Sequence, residues 1–241
     1  AAFYAHVASR NDYYTIGRQL ITTGFDFYAG SDFQRPENKQ HPEEGSLYEQ
    51  SEQAGYTIAR GYKEYHKKSR KAKKMILLQS EEASRKDRSS IPYAIDREKG
   101  DLTLTDITRA GIHFLSKNAD KGFFLMVEGG KIDWACHAND AATTFEEIID
   151  FDNAIRVAYE FYEQHPDETL IVVTADHETG GTGVSYKSYE VGSTTPVQLS
   201  FSTKGHTGTV VPVFAYGAGA EAFAGIMKNT DLPKKMEELM K

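Results

Sequence analysis

The sequence holds one cysteine, Cys136, so no intrachain disulfide can form and the redox compartment is not set by sulfur. It has no basic excess. The formal net charge of −7 disfavours nucleic acid as a partner, which usually wants a basic face. No apolar run approaches the length of a membrane span, and there is no internal repeat or low-complexity linker. The chain opens without a leader-like segment or an initiator methionine, inside an apolar, helix-like stretch, so the missing leader says little about compartment. What is present is 241 residues, enough for one α/β domain with a sizeable core, expected to run from 1 to 241.

Ala1 to Arg10 is apolar and helix-like, and Asn11 or Asp12 can cap a second helix that Gly24 closes. Phe25 to Gly30 is expected as a short buried strand, Ser31 to Gly45 as a loop, and Ser46 to about Ala72 as helix. The basic run from Lys63 to Lys74 is expected to be a solvated helix face. Met75 to Ser80 is expected as a strand and Glu81 to Ser90 as a charged loop. Thr103 to Lys117 is expected as a helix that Thr105 can cap. Ala138 to His165 has the pattern of one long helix, stopped by Pro166, with a core stripe that includes Phe145, Ile148, Ile149, Asp152, Ile155, Val157, Tyr159 and Tyr162. Leu170 to Ala175 is an unbroken run expected as a central strand buried on both faces. Thr182 to Gly205 leaves the sheet, Val210 to Tyr216 is a further apolar run, and Gly217 to Lys228 and Leu232 to Met240 are expected as closing helices. Strands alternating with helices predict an α/β fold, a mostly parallel sheet sandwiched by helices.

The stretch with the most chemistry is Gly122 to His137, GFFLMVEGGKIDWACH. The apolar run Phe123 to Val127 is expected as a buried strand ending in Glu128. Two glycines follow, then a helix on which Asp133 and His137 share a face, four residues apart. A carboxylate and an imidazole side by side suit a zinc site. Alone, such a pair is more often a surface ion pair or a cap. A second apolar run ends in Asp176 and His177, and His206 lies in Gly205-His206-Thr207-Gly208 before another. In open α/β sheets, sites form beyond the carboxyl ends of strands. Glu128, Asp133, His137, Asp176, His177 and His206 all fall at expected strand ends or the turns beside them, which shifts the balance to metal.

Three blocks resemble the metal-ligand blocks of alkaline phosphatases: VEGGKIDWACHAND (Val127 to Asp140), VTADHETGG (Val173 to Gly181), and GHTG with VPVFAYG between Gly205 and Gly217. AAFYAHVASR resembles the family segment that carries a phosphate-binding arginine, here Arg10. The resemblance covers most of the chain and is weakest from about Phe33 to Ser90. It implies that Asp133, His137 and His206 hold a first zinc, that Asp176 and His177 supply two of three ligands of a second zinc, and that Glu128 serves a neighbouring magnesium. Arg10 would grip two phosphate oxygens. His6, one turn before Arg10, receives no ligand role. Two zinc ions about 4 Å apart can clamp the attacking and leaving oxygens of a phosphoryl displacement. The implied reaction is hydrolysis of phosphate monoesters through a phosphoserine, with inorganic phosphate as product. Trp134 stands where some relatives carry a basic residue near the phosphate.

No part of the chain matches the family segment that supplies the serine nucleophile, another aspartate and the Asp-x-Thr magnesium ligands. Ser185 and Ser193 lack the family context. The expectation is a carboxyl-terminal part of an alkaline phosphatase, incomplete on its amino-terminal side and inactive or nearly so by itself, with exposed strand edges that favour self-association. The alternatives are a phosphodiesterase or sulfatase-like relative, or a non-catalytic metal-binding fragment. The family also implies a periplasmic or extracellular address and a possible homodimer.

Overall fold

The computed structural model describes residues 3–185 and 198–241; Ser193 and much of the expected excursion from Thr182 to Gly205 lie outside them. The chain divides into two compact units, Ala1–Val127 and Glu128–Lys241. Among the described residues, no helix is long and apolar enough to cross a membrane.

The first unit is built on a parallel sheet of β1 (Phe27–Gly30), β2 (Tyr56–Arg60) and β3 (Lys74–Leu78), in the order β1-β3-β2. β3 pairs on both sides, with Ile76 opposite Tyr28 and Ile58, and its residues Met75 to Leu78 are buried. Its side chains alternate between two cores, as strand geometry requires. Met75 and Leu77 join Ala59, Tyr65, Leu102, Ile107, Ala110 and Phe114. Ile76 and Leu78 join Leu20, Phe33, Leu47 and Tyr56. The first core draws on α3 (Gly61–Lys68) and α5 (Leu104–Asn118), the second on α1 (Tyr13–Thr22) and α2 (Leu47–Gln53). The sheet is thus flanked by helices, as an α/β fold demands.

Several elements differ from the sequence expectation. Residues 3–10 form turns and irregular chain, not helix. The helix expected from Ser46 to Ala72 is interrupted by β2, because Gly55 and Gly61 take left-handed backbone that ends α2 and starts α3. Glu81–Lys86 is α4, not a loop. Its cap is the Ser80 hydroxyl, which accepts from the Ala83 amide. Thr103, not Thr105, caps α5, in a reciprocal box with Asp106. The run Phe123 to Val127 joins no sheet ladder among the described residues, and only its alternate side chains are partly covered. Leu125 fills the space left by Gly111, where a Cβ would stand 3.1 Å from its methyls, while Phe124 and Met126 are exposed. A strand buried on both faces needs partners on both edges, and this segment has one covered face.

The second unit begins with α6 (Lys131–Ala138) and α7 (Ala141–Gln164). Asn139 stops α6 in the left-handed conformation, and the Asp140 carboxylate caps α7 by accepting from the Thr143 amide. The long helix therefore starts at Ala141, and of its expected core stripe only Val157 is buried. Phe145, Ile148, Ile149 and Tyr159 are exposed, whereas Thr143, Thr144, Glu147, Asp150, Ala154 and Val157 are buried. Both sets recur at helical spacing, so periodicity finds the helix without choosing its inner face.

β4 (Leu170–Val173) is half-buried and pairs only with β9 (Phe214–Gly217) among the described strands, antiparallel. It is an edge partner there, not a strand buried on both faces. Two more antiparallel pairs follow: β5 (Glu178–Thr179) with β8 (His206–Thr207), and β6 (Gly183–Ser185) with β7 (Gln198–Ser200). Of the closing helices, only α8 (Leu232–Leu239) forms; Gly217 to Lys228 holds a short 3-10 turn at Ala220–Phe223.

Candidate metal centre

Three short elements of the second unit bring the ligand-type residues together. α6 places Asp133 and His137 one turn apart, with His137 Nε2 3.4 Å from Asp133 Oδ1. The β5–β8 ladder sets Thr179 opposite His206 and so brings His177, just before β5, to the same place. His206 Nε2 lies 3.6 Å from Asp133 Oδ1 and 3.1 Å from His137 Nε2. The rings of His177 and His206 stack with centroids 3.6 Å apart. Asp133, His177 and His206 each offer a ligand atom within 4.8 Å of the others. Asp176 joins at the outer side, its Oδ2 3.4 Å from His177 Nε2, and its side chain is largely exposed.

The expected first set, Asp133, His137 and His206, is therefore in mutual reach, and His177 packs against that set as closely as it approaches Asp176. Glu128 is not drawn in: its carboxylate lies over Gly130, just ahead of α6, and it takes part in none of these ion pairs. Arg10 belongs to the other unit, exposed on the turn that leads into α1. Trp134 is exposed beside the site, with the Lys131 ammonium 4.5 Å from its ring centroid.

Backbone and hydroxyl groups aim these side chains. His137 Nδ1 lies 2.5 Å from the Lys204 carbonyl oxygen. A carbonyl only accepts, so Nδ1 carries the proton and Nε2 keeps its lone pair for a cation. The Asn139 carboxamide, with its nitrogen turned to face acceptors, donates to Cys136 O at 2.9 Å and Thr203 O at 2.8 Å, tying the end of α6 to the chain before His206. Glu178 accepts from the Thr182 amide at 2.7 Å, the Gly181 amide at 3.2 Å and the Thr207 hydroxyl at 2.5 Å. The Thr207 hydroxyl first, then these amides, hold its carboxyl below the usual range. Gly180 donates to Gly205 O at 2.8 Å, and its own carbonyl accepts from the Ser202 and Thr203 amides.

Sequence reasoning missed these supporting groups. A carbonyl such as that of Lys204 has no sequence signature, and Thr179 sits in a ligand block without being of ligand type. Chemically, one carboxylate among three imidazoles, with Asp176 adjacent, is a nitrogen-and-oxygen donor set of the kind zinc takes.

The alkaline phosphatase family model matches residues 29–198. Alkaline phosphatase 4 of Bacillus subtilis is 31% identical over 212 residues, a match covering 61% of this chain and 46% of the relative. The chain thus spans about half the length of such a relative. The structure of alkaline phosphatase from the Antarctic bacterium TAB5 superposes with a TM-score of 0.83 at 32% identity, covering 99% of this chain and 67% of that one. A variant of the TAB5 enzyme with magnesium bound in its M3 site superposes at 0.81 with 31% identity and the same coverage. With the family model matching well over half of its residues, and the same fold in the solved enzymes, this chain belongs to the alkaline phosphatase family.

Proposed function

We propose that this chain is the metal-ligand part of a phosphomonoesterase that holds two zinc ions and one magnesium. The observation that carries the reading is the convergence of Asp133, His137, His177 and His206 from α6, the turn before β5, and β8. Asp133, His137 and His206 hold the first zinc, Asp176 and His177 contribute to the second, and Glu128 contributes to magnesium. Zinc bound there supplies Lewis acidity, which lowers the pKa of a hydroxyl nucleophile and stabilises a leaving alkoxide.

The chain's own residues bind and orient. Arg10, a planar fork, suits two non-bridging phosphate oxygens. The Lys204 carbonyl keeps His137 in one tautomer. The attacking serine, which would pass through a phosphoserine, matches nothing in these residues. These 241 residues by themselves are therefore inactive or nearly so, and the longer protein hydrolyses phosphate monoesters and releases inorganic phosphate. The family match runs across the boundary between the two units, which supports one catalytic domain shared by both. The same reading carries an exported address, supported by the family resemblance alone. It also carries self-association or a homodimer, supported by Phe145, Ile148 and Ile149 exposed on α7.

The test is zinc stoichiometry of the purified chain by elemental analysis, with hydrolysis of a chromogenic phosphate monoester assayed in parallel. The expected result is zinc uptake with negligible turnover. No zinc uptake overturns the metal centre, and turnover that is lost in His137→Ala overturns the inactivity of the chain.

A further inference from the structure

Thr179, not itself proposed as a ligand, hydrogen-bonds to a residue of each proposed zinc set. It is almost fully buried, on β5 opposite His206. Its Oγ1 lies 2.5 Å from Asp133 Oδ1 and 3.3 Å from His177 Nδ1. A hydroxyl has one proton to give and lone pairs to accept with. An ionised carboxylate only accepts, so the Thr179 proton goes to Asp133. The oxygen is then left to accept, and the group facing it is the His177 Nδ1–H. The chain of donation has one direction: His177 Nδ1–H to Thr179 Oγ1, and Thr179 O–H to Asp133 Oδ1.

We infer that Thr179 is a positioning residue shared by the two metal sites, fixing the His177 tautomer and the Asp133 carboxylate together. With Nδ1 protonated, His177 presents Nε2 as its basic atom, which is the atom that lies near Asp176. The same hydroxyl holds the Asp133 oxygen that faces His137 and His206. One substitution at Thr179 therefore disturbs a ligand of each set, whereas loss of the Lys204 contact disturbs only His137. This rests on the metal-centre reading above, and it adds a residue that is not itself a ligand. Outer partners of metal ligands are worth roughly 10–100-fold in affinity.

The experiment compares wild type, Thr179→Ser and Thr179→Val as the full chain. Histidine tautomers are read from long-range nitrogen–proton NMR correlations without metal, at a pH above the imidazole range. Zinc affinity is read by competition with a chromophoric chelator. The expected result is the Nδ1–H tautomer of His177 in wild type and Thr179→Ser. In Thr179→Val, tautomers are mixed and both zinc equivalents bind roughly 10–100-fold more weakly. The Nε2–H tautomer in wild type overturns the inference, as does Thr179→Val binding zinc like wild type. Should Thr179→Val fail to fold, the wild-type tautomer and the Thr179→Ser affinity decide, and weakened binding in Thr179→Ser counts against it. A wild-type chain that takes up no zinc brings down the metal-centre reading and this inference with it.

Discussion

His137 Nδ1 meets the carbonyl oxygen of Lys204, 67 residues further along the chain, at 2.5 Å. This contact joins α6 to the segment that carries His206, and it leaves Nε2 as the ring nitrogen that faces Asp133 and His206. His137→Ala removes both a ligand and this tie. Zinc affinity at the first site should fall by at least the roughly 10–100-fold that an outer partner is worth. Isothermal titration with zinc checks it, and unchanged affinity would remove His137 from the ligand set.

Gly180 has φ of +85°, and a Cβ there would stand 3.0 Å from the Cys136 carbonyl oxygen and 2.9 Å from the Phe201 ring. Neither the backbone conformation nor the space admits a side chain. Gly180→Ala should therefore cost roughly 1–3 kcal/mol of stability, the range for overpacking a filled site. It should also loosen zinc binding, because Gly180 ties the turn after His177 to Gly205. Denaturant melts with and without zinc measure both effects. A variant as stable as wild type refutes the packing argument.

The Thr143 hydroxyl, at 2.6 Å, and then the Thr143 amide hold the Asp140 carboxyl below its usual value of 3.8. A carboxyl with a depressed folded pKa contributes stability above its unfolded pKa and loses it as pH falls through the lower folded value. Asp140→Asn keeps a capping side chain and should remove that acid dependence. Asp140→Ala should lose the cap as well, worth about 1 kcal/mol. Thermal melts between neutral and strongly acid pH distinguish the two; equal behaviour of the variants contradicts the capping role.

Burial, reinforced by Tyr62, pushes the Tyr65 phenol from 10.0 to about 12. Its hydroxyl donates to the Ala110 carbonyl at 2.9 Å. A phenol with a raised folded pKa favours the fold fully below 10.0, and this contribution is lost as pH rises through about 12. Burial likewise raises Tyr4 and Tyr56 to about 12. Phenolate absorbance should show these three ionising late, and Tyr65→Phe should lessen the alkaline fall in melting temperature. Ionisation of Tyr65 together with exposed phenols would refute its burial.

Arg10 is exposed, and no hydrogen bond or ion pair engages it among the described residues. Arg10→Ala should leave stability unchanged. If the chain is joined to the proposed serine segment, the same change should lower kcat/KM for phosphate monoesters by roughly 10–100-fold, the worth of about one charged hydrogen bond. Arg10→Lys should recover little, since a point charge cannot match two oxygens at once. Inhibition by inorganic phosphate gives an independent reading; full activity in either variant removes Arg10 from the phosphate site.

The candidate ligands were legible because a cation would dictate side-chain type: Asp133, His137, Asp176, His177 and His206 announce themselves by chemistry and lie near one another, while Glu128 stays apart over Gly130. The parallel sheet was legible at β1 and β3 from their apolar runs, but β2 was hidden because Tyr56–Arg60 is bounded only by single glycines. The face of α7 was not legible, because its buried side carries Thr143, Glu147 and Asp150 and its exposed side carries Ile148 and Ile149. Which side turns inward depends on neighbours that no single helix specifies. Thr179 and the Lys204 carbonyl escaped for a different reason: what they contribute is an orientation, and orientation is not encoded in residue type.

Asn139 has one more consequence. Its left-handed backbone, at φ of 57°, breaks the helical phase between α6 and α7, and its side chain fastens the end of α6 to Cys136 and Thr203. Beyond that break the two helices still pack on one another, with Cys136 Sγ 3.8 Å from Thr144 Oγ1. The two candidate ligands, Asp133 and His137, thus ride on an eight-residue helix whose end is tied at once to α7 and to the chain that leads to His206.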